Sequence, residues 1–241
     1  MTLKVVLFDF NGVIINDEKI HQQLVEEILI AENLRFNPRD YREVCLGRSD
    51  RACLTELLER RGRILSESSI TQLMRRKAQA YQQQLESLKK LPIYSGLEDL
   101  IYQLRVVQVP MAIVSGALRS EVELVLERSN LGQHFSTIVS GDDIKVSKPE
   151  PDGYLLAVEK LNQQFPELRA QASDCLAIED TPAGIEAAKR AGMQVVGVAN
   201  TYPFQMMQRQ ANWAVDYLSQ LDVEWVQQVY AQPTRQSLKE C

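Results

Sequence analysis

Short apolar runs bounded by polar or turn residues punctuate this chain at positions 4–8, 111–114, 137–139, 175–178 and 194–198. Runs this short and this uniformly apolar suit strands covered by helices on both faces. Between them the period changes to that of a helix. Apolar residues recur at Leu97, Leu100, Ile101 and Leu104, at Val122, Val125 and Leu126, and at Tyr154, Ala157, Val158 and Leu161. This alternation predicts an α/β fold: a doubly wound, Rossmann-like parallel sheet joined by right-handed crossovers.

The alternation fails between the first run and the second. From about residue 18 to residue 90 there are only helical stripes: Ile20, Leu24 and Ile28, then Leu54, Leu57 and Leu58, then Leu73, Tyr81, Leu85 and Leu88. An all-helical stretch of roughly 70 residues is too long for a simple crossover. It predicts a second, helical domain over residues 17–90, placed over the carboxyl end of the first strand, with the sheet domain assembled from 1–16 and 91–241. After Ala211 the pattern reads as a last short strand and a helix through Trp225 and Tyr230, with a polar end expected to fray.

Composition narrows the choice of ligand. Hydrophobic residues make up 45% and charged residues 24%, ordinary globular values. Lys and Arg number 27 against 32 Asp and Glu, and the resulting charge of -5 has the wrong sign for neutralising nucleic-acid or membrane phosphates, so a small ligand is expected. No run approaches the roughly 18 apolar residues of a membrane span, and Asp9 interrupts the opening run, so a cytoplasmic location is expected. Cys45, Cys53, Cys175 and Cys241 show no CxxC spacing, and His21 and His134 add too few soft ligands for zinc. All of these cysteines are expected to be reduced.

In doubly wound sheets the ligand crevice lies beyond the carboxyl ends of the strands. The residues there are Asp9-Phe10-Asn11-Gly12, Ser115-Gly116-Ala117, Lys148-Pro149-Glu150-Pro151-Asp152 and Glu179-Asp180-Thr181-Pro182. Asp9, Glu179 and Asp180 converging on one crevice would repel one another unless a hard cation lay among them, which points to Mg2+. A phosphate could then be held by Lys148, the Ser115 hydroxyl and the N–H groups around Gly116 and Ala117. Asp9 would face the phosphorus as a nucleophile. Plainer readings exist for the single residues. Thr181 and Pro182 suit a helix start, Lys148 alone would be a surface lysine, and Ser115-Gly116 alone an ordinary turn. None of these accounts for a carboxylate at a buried strand end or for two adjacent acids at another.

The segments LFDFNGVI, VSGA, SKPEPD and IEDTPAGIEAAKRAGM resemble, in order, the four motifs of the haloacid dehalogenase superfamily, in particular its β-phosphoglucomutase-like branch of phosphatases with a helical cap. The resemblance implies Asp9 as nucleophile and magnesium ligand, the main-chain carbonyl of Asn11 as a second ligand, Asp180 and Glu179 as the others, and Ser115 and Lys148 as phosphate holders. It also places His21 on the first cap helix, facing the site. Read without the resemblance, His21 is more often a solvated helix position.

The chain departs from that pattern at Asn11, where the family carries a carboxylate that acts as general acid and base. An amide can do neither. Such groups contribute about 10²–10⁴ in rate, so slow turnover is expected, worst for esters with poor leaving groups. Asp17 stands one place along from another usual carboxylate. The segment 46–51 resembles the family's substrate loop; Arg48 or Arg51 either clamps a distal anionic group or caps the next helix and pairs with Glu56. The expected activity is magnesium-dependent hydrolysis of a small phosphorylated metabolite, a sugar phosphate first among them, by a monomer or homodimer. A phosphosugar mutase and a nearly inactive phosphometabolite-binding protein are the alternatives.

Overall fold

The structure, a computed structural model, describes residues 2–231; the polar end expected to fray, and Cys241 with it, lies outside the described residues. Strands β1 (Val5–Phe8), β2 (Met111–Val114), β3 (Thr137–Val139), β4 (Cys175–Glu179), β5 (Gln194–Val198) and β6 (Trp213–Val215) form one parallel sheet in the order β3-β2-β1-β4-β5-β6. Each run read from the sequence as a strand is one, and the doubly wound α/β fold is as expected.

Alternate residues of the central strands feed two cores. Val6 and Phe8 of β1, Met111 and Ile113 of β2, and Leu176 and Ile178 of β4 pack on one face. There they meet α5 (Leu97–Val106), α6 (Arg119–Ser129) and α10 (Val223–Ala231). Val5, Leu7, Ala112, Val114, Cys175 and Ala177 pack on the other face, against α7 (Asp152–Gln164) and α8 (Pro182–Arg190). Burial on both faces explains why the strands read as unbroken apolar runs and not as alternating ones.

The chain leaves β1 for β2 and β3 on one side and returns to β4 on the other, so β1 and β4 flank the point where the winding reverses. Phe8 is level with both Ile113 and Ile178, which sets Asp9 beside the ends of β2 and β4. The Asp9 N–H continues the ladder by donating to the Ile178 carbonyl at 2.9 Å.

Four helices lie between β1 and α5: α1 (Glu18–Ala31), α2 (Pro38–Val44), α3 (Asp50–Glu59) and α4 (Glu67–Ser87). Asn37, Ser49 and Ser66 cap the last three, each side chain accepting from a first-turn N–H. Val25, Leu29, Val44, Leu54, Leu57 and Ile70 form a separate apolar cluster there, while Leu24, Tyr81 and Leu85 belong to the sheet core. This helical layer meets the sheet side through the turn 45–49. The Ser49 N–H donates to Ser147 Oγ at 2.7 Å.

The expectation of reduced cysteines is corrected for one pair. Cys45 and Cys53 form a disulfide, Cα atoms 4.5 Å apart. The chain reverses between α2 and α3, and this turn brings together cysteines whose eight-residue spacing carries no recognisable motif. Cys175 is a buried free thiol.

Candidate active site

Asp9 follows β1, and Glu179 and Asp180 end β4. All are buried, and each offers an oxygen within 4.8 Å of the others. Lys148, from the loop before α7, reaches between them. Its ammonium donates to Asp9 Oδ1 at 2.8 Å, Glu179 Oε1 at 2.6 Å and the Val114 carbonyl at 3.2 Å. Tyr154 donates its hydroxyl to Glu179 Oε1 at 2.5 Å, and Thr201 donates to Asp180 Oδ2. Two carboxylate oxygens, Glu179 Oε2 and Asp180 Oδ1, are buried without a partner among the described residues.

Local chain geometry makes room for these acids. Gly12 has φ of 82°, and a Cβ there would collide with the Asp180 carboxylate. A Cβ at Gly184, in the first turn of α8, would strike Glu179. Thr181 caps α8 as its sequence position suggests, accepting from the Gly184 N–H at 3.2 Å.

The electrostatics are those of a crowded anionic site. Burial, reinforced by the Asp9 charge, lifts the Glu179 carboxyl to about 7 against the pull of Lys148 and Tyr154. Burial and the charges of Asp9 and Glu179 hold Asp180 well above the usual carboxylate range. Burial also disfavours the Lys148 ammonium, but its two carboxylate partners outweigh it and hold the lysine's proton affinity above its ordinary value. One ammonium among three carboxylates leaves negative charge unbalanced. Together with the two orphaned oxygens, this all-oxygen donor set fits a hard divalent cation.

Asn11 lies on the edge of a cavity of about 50 Å³ between the sheet and the helical layer, lined also by Asp9, His21, Arg48, Lys77 and Asp180. Its amide nitrogen donates to both oxygens of Asp17, at 2.9 and 3.1 Å. Asp17 is 1% exposed and does not line the cavity; it also accepts from Tyr81 and lies 3.2 Å from His21 Nε2. His21 Nδ1 faces the Lys77 ammonium at 2.7 Å, so this nitrogen accepts and Nε2 carries the hydrogen directed at Asp17. His21 is buried and faces the cavity; it is not a solvated helix position.

The other sequence candidates fall in different places. Gly116 and Ala117 line the cavity, but the Ala117 N–H already donates to Ser115 Oγ at 3.0 Å. Ser115 is buried, and among the described residues its hydroxyl accepts from Ala117 and donates to no partner. Arg48 pairs with Glu56 at 2.5 Å and donates to the Val44 carbonyl, while its Nε is buried without a partner. Arg51 pairs with Glu67 away from the cavity.

Sequence reasoning missed Lys77, 1% exposed and bonded to Asp50 at 2.8 Å as well as to His21. The signal was present: Lys77 falls on the buried stripe of α4 between Ile70 and Tyr81, Leu85, where a lysine needs partners. Thr201 carried no such signal, because the loop after β5 has no periodic pattern.

The pattern of the haloacid dehalogenase-like hydrolases matches residues 6–198, from β1 through β5. The chain belongs to this family. Validoxylamine A 7'-phosphate phosphatase of Streptomyces hygroscopicus subsp. limoneus is 28% identical over 199 residues, 83% of this chain and 87% of that protein. Beta-phosphoglucomutase of Bacillus subtilis is 30% identical over 206 residues, 83% of this chain and 85% of that protein. Among solved structures, beta-phosphoglucomutase from Clostridium difficile shares the fold with a TM-score of 0.82 at 23% identity, covering 95% of this chain and 97% of that one. As a haloacid dehalogenase-like protein, the chain is a hydrolase. Among the described residues no helix is long and apolar enough to cross a membrane.

Proposed function

We propose that this hydrolase is a magnesium-dependent phosphatase of small phosphorylated metabolites, working through an aspartyl-phosphate at Asp9. The observation that carries this reading is the convergence of Asp9, Glu179 and Asp180 beside Lys148 where the sheet winding reverses, with two buried oxygens left without partners. The carboxylates of Asp9, Glu179 and Asp180 and the main-chain carbonyl of Asn11 would hold the ion. When bound, Mg2+ supplies charge neutralisation to the phosphoryl oxygens.

The chain's own residues do the rest. An Asp9 oxygen attacks phosphorus, and the substrate oxygen leaves with the electron pair of the broken P–O bond. Lys148 balances phosphate charge once substrate is bound, and the free hydrogen of the Ser115 hydroxyl serves the same end. Water then releases phosphate from Asp9. Gly116, Ala117, His21 and Arg48 bound the space left for the rest of the substrate. Residues 17–90 act as a cap over a core made of 1–16 and 91–241, with the turn 45–49 as the seam that opens to admit substrate. We assign the reaction to the cytoplasm. Asn11 keeps turnover low.

The test is release of inorganic phosphate from a panel of phosphate monoesters with Mg2+, alongside Asp9→Asn. Phosphate release by the unaltered protein and its loss in the variant are expected. Isomerised sugar phosphate without free phosphate would instead favour the mutase reading suggested by the relative at 30% identity. Equal release by both proteins would remove Asp9 as nucleophile.

A further inference from the structure

From the amide at position 11 and the way Lys77, His21 and Tyr41 are engaged around it, we infer that the substrates are phosphates whose leaving group departs without being protonated: acyl phosphates, and enol or aryl phosphates next, in preference to alkyl esters. This rests on the phosphatase reading above and narrows its substrate class.

An amide has hydrogens only on nitrogen, and Asp17 takes the Asn11 nitrogen on both of its oxygens, at 2.9 and 3.1 Å. The second amide hydrogen is not taken by Asp17, and His21 Nε2 lies 3.1 Å from the same nitrogen; whichever atom faces the cavity, an amide gives up no proton to a departing oxygen. Arg48 also lines the cavity, with an unpartnered Nε–H that a guanidinium does not give up, while Lys77, His21 and Tyr41 are engaged elsewhere. Lys77 is bonded to His21 and Asp50, and His21 directs its hydrogen at Asp17. Tyr41 donates to Glu18 at 2.5 Å, which makes the Glu18 carboxylate an acceptor. None of these groups is positioned to hand a proton to a departing oxygen.

The consequence depends on what leaves. As the Asp9–P bond forms and the P–O bond breaks, the leaving oxygen takes the electron pair. A carboxylate, whose acid has a pKa of about 4, carries it without difficulty; a phenolate at about 10 does so less well, and an alkoxide, near water's ~15.7, needs a proton in the transition state. The second half of the cycle balances without an outside base. Water adds to phosphorus, Asp9 leaves as a carboxylate, and the product departs as dihydrogen phosphate carrying both hydrogens of the water.

The experiment measures kcat/KM for acetyl phosphate, 4-nitrophenyl phosphate and an alkyl phosphate such as glycerol 3-phosphate with Mg2+, in the unaltered protein, Asn11→Asp and Glu18→Gln. Because kcat/KM ends at the first irreversible step, the shared dephosphorylation does not enter. The alkyl ester is expected to be at least 10²-fold poorer than acetyl phosphate, and Asn11→Asp to narrow that ratio by 10²-fold or more. The leaving-group series on the unaltered protein stands alone if Asn11→Asp fails to fold against Asp17. Comparable turnover of acyl and alkyl phosphates would overturn the inference and leave the phosphatase reading intact. A ratio widened by Glu18→Gln would also overturn it, by revealing Glu18 as the proton donor. No hydrolysis of any ester and no phosphoryl label on Asp9 in the unaltered protein would defeat the phosphatase reading itself, and the inference with it.

Discussion

Lys148 Nζ lies 2.6 Å from Glu179 Oε1, both side chains sealed from water, and the same nitrogen spans to Asp9. The lysine thus ties together two strand ends that their own charges would drive apart. Among the described residues it leaves Asp180 with Thr201 alone as a side-chain partner, so the cluster is held but not neutralised.

A pH dependence of stability follows for the metal-free protein. The folded Glu179 carboxyl is lifted to about 7, and Asp180 is raised too, so between pH 5 and 7 the folded state binds more protons than the unfolded chain. Stability from these groups is complete below their unfolded values of about 4 and is lost as pH rises through the folded ones. Thermal melts in a chelator should show the midpoint falling from pH 5 to pH 7.5, and added Mg2+ should raise it more at pH 7.5 than at pH 5. A midpoint insensitive both to pH over this window and to Mg2+ would refute the site.

Gly116 lets the turn 45–49 approach the end of β2. A Cβ there would stand 2.9 Å from Arg48 C and O and Ser49 N, main-chain atoms that cannot rotate away. Overpacking of this kind costs about 1–3 kcal/mol and here acts on the seam over the cavity. Gly116→Ala is expected to lower kcat/KM for phosphate release by about tenfold or more. Gly132→Ala, where the nearest atom is 3.8 Å away, should not. Equal activities would show that the seam does not need this closeness.

The parallel strands were legible in the sequence because burial on both faces leaves unbroken apolar runs, and the strand-end residues because a carboxylate in such a place demands a partner. The network behind the site was less legible. Asp17 precedes α1 in a polar stretch and reads as surface, yet it is sealed under Tyr81, sixty-four positions along, and no local pattern reports such a contact. Arg48 and Arg51 looked equivalent as a pair; the turn geometry at Ser49 sends one toward the cavity and the other outward to Glu67. The Cys45–Cys53 bond depends on the same turn, which has no periodicity to read.

That disulfide closes a short loop around the seam, and the chain-entropy argument gives it roughly 2.5 kcal/mol of stabilisation. Denaturation midpoints in urea should fall on reduction, and a Cys45→Ser, Cys53→Ser double variant should match the reduced protein. An unchanged midpoint after reduction, confirmed by thiol counting, would mean that the reduced chain holds the turn as well without the bond.

Arg48 separates packing from recognition. Its partner Glu56 keeps two bonds to Arg60, at 3.1 and 2.7 Å, when Arg48 is removed. The Arg48–Glu56 pair is also partly exposed, so its own contribution to stability should be no more than about 1 kcal/mol, or a few degrees in the melting midpoint. Arg48 lines the cavity that Asp9 also lines, and its Nε, without a partner among the described residues, is the part of the guanidinium that packing does not use. Arg48→Ala is therefore expected to raise KM about tenfold for substrates carrying a second anionic group, with kcat changed far less and KM for singly charged esters nearly constant. Glu56→Gln, which weakens the guanidinium's internal partner, should shift KM in the opposite direction or not at all. If Arg48→Ala lowers the melting midpoint by many degrees while KM stays fixed for every substrate, the arginine serves the turn and not the ligand.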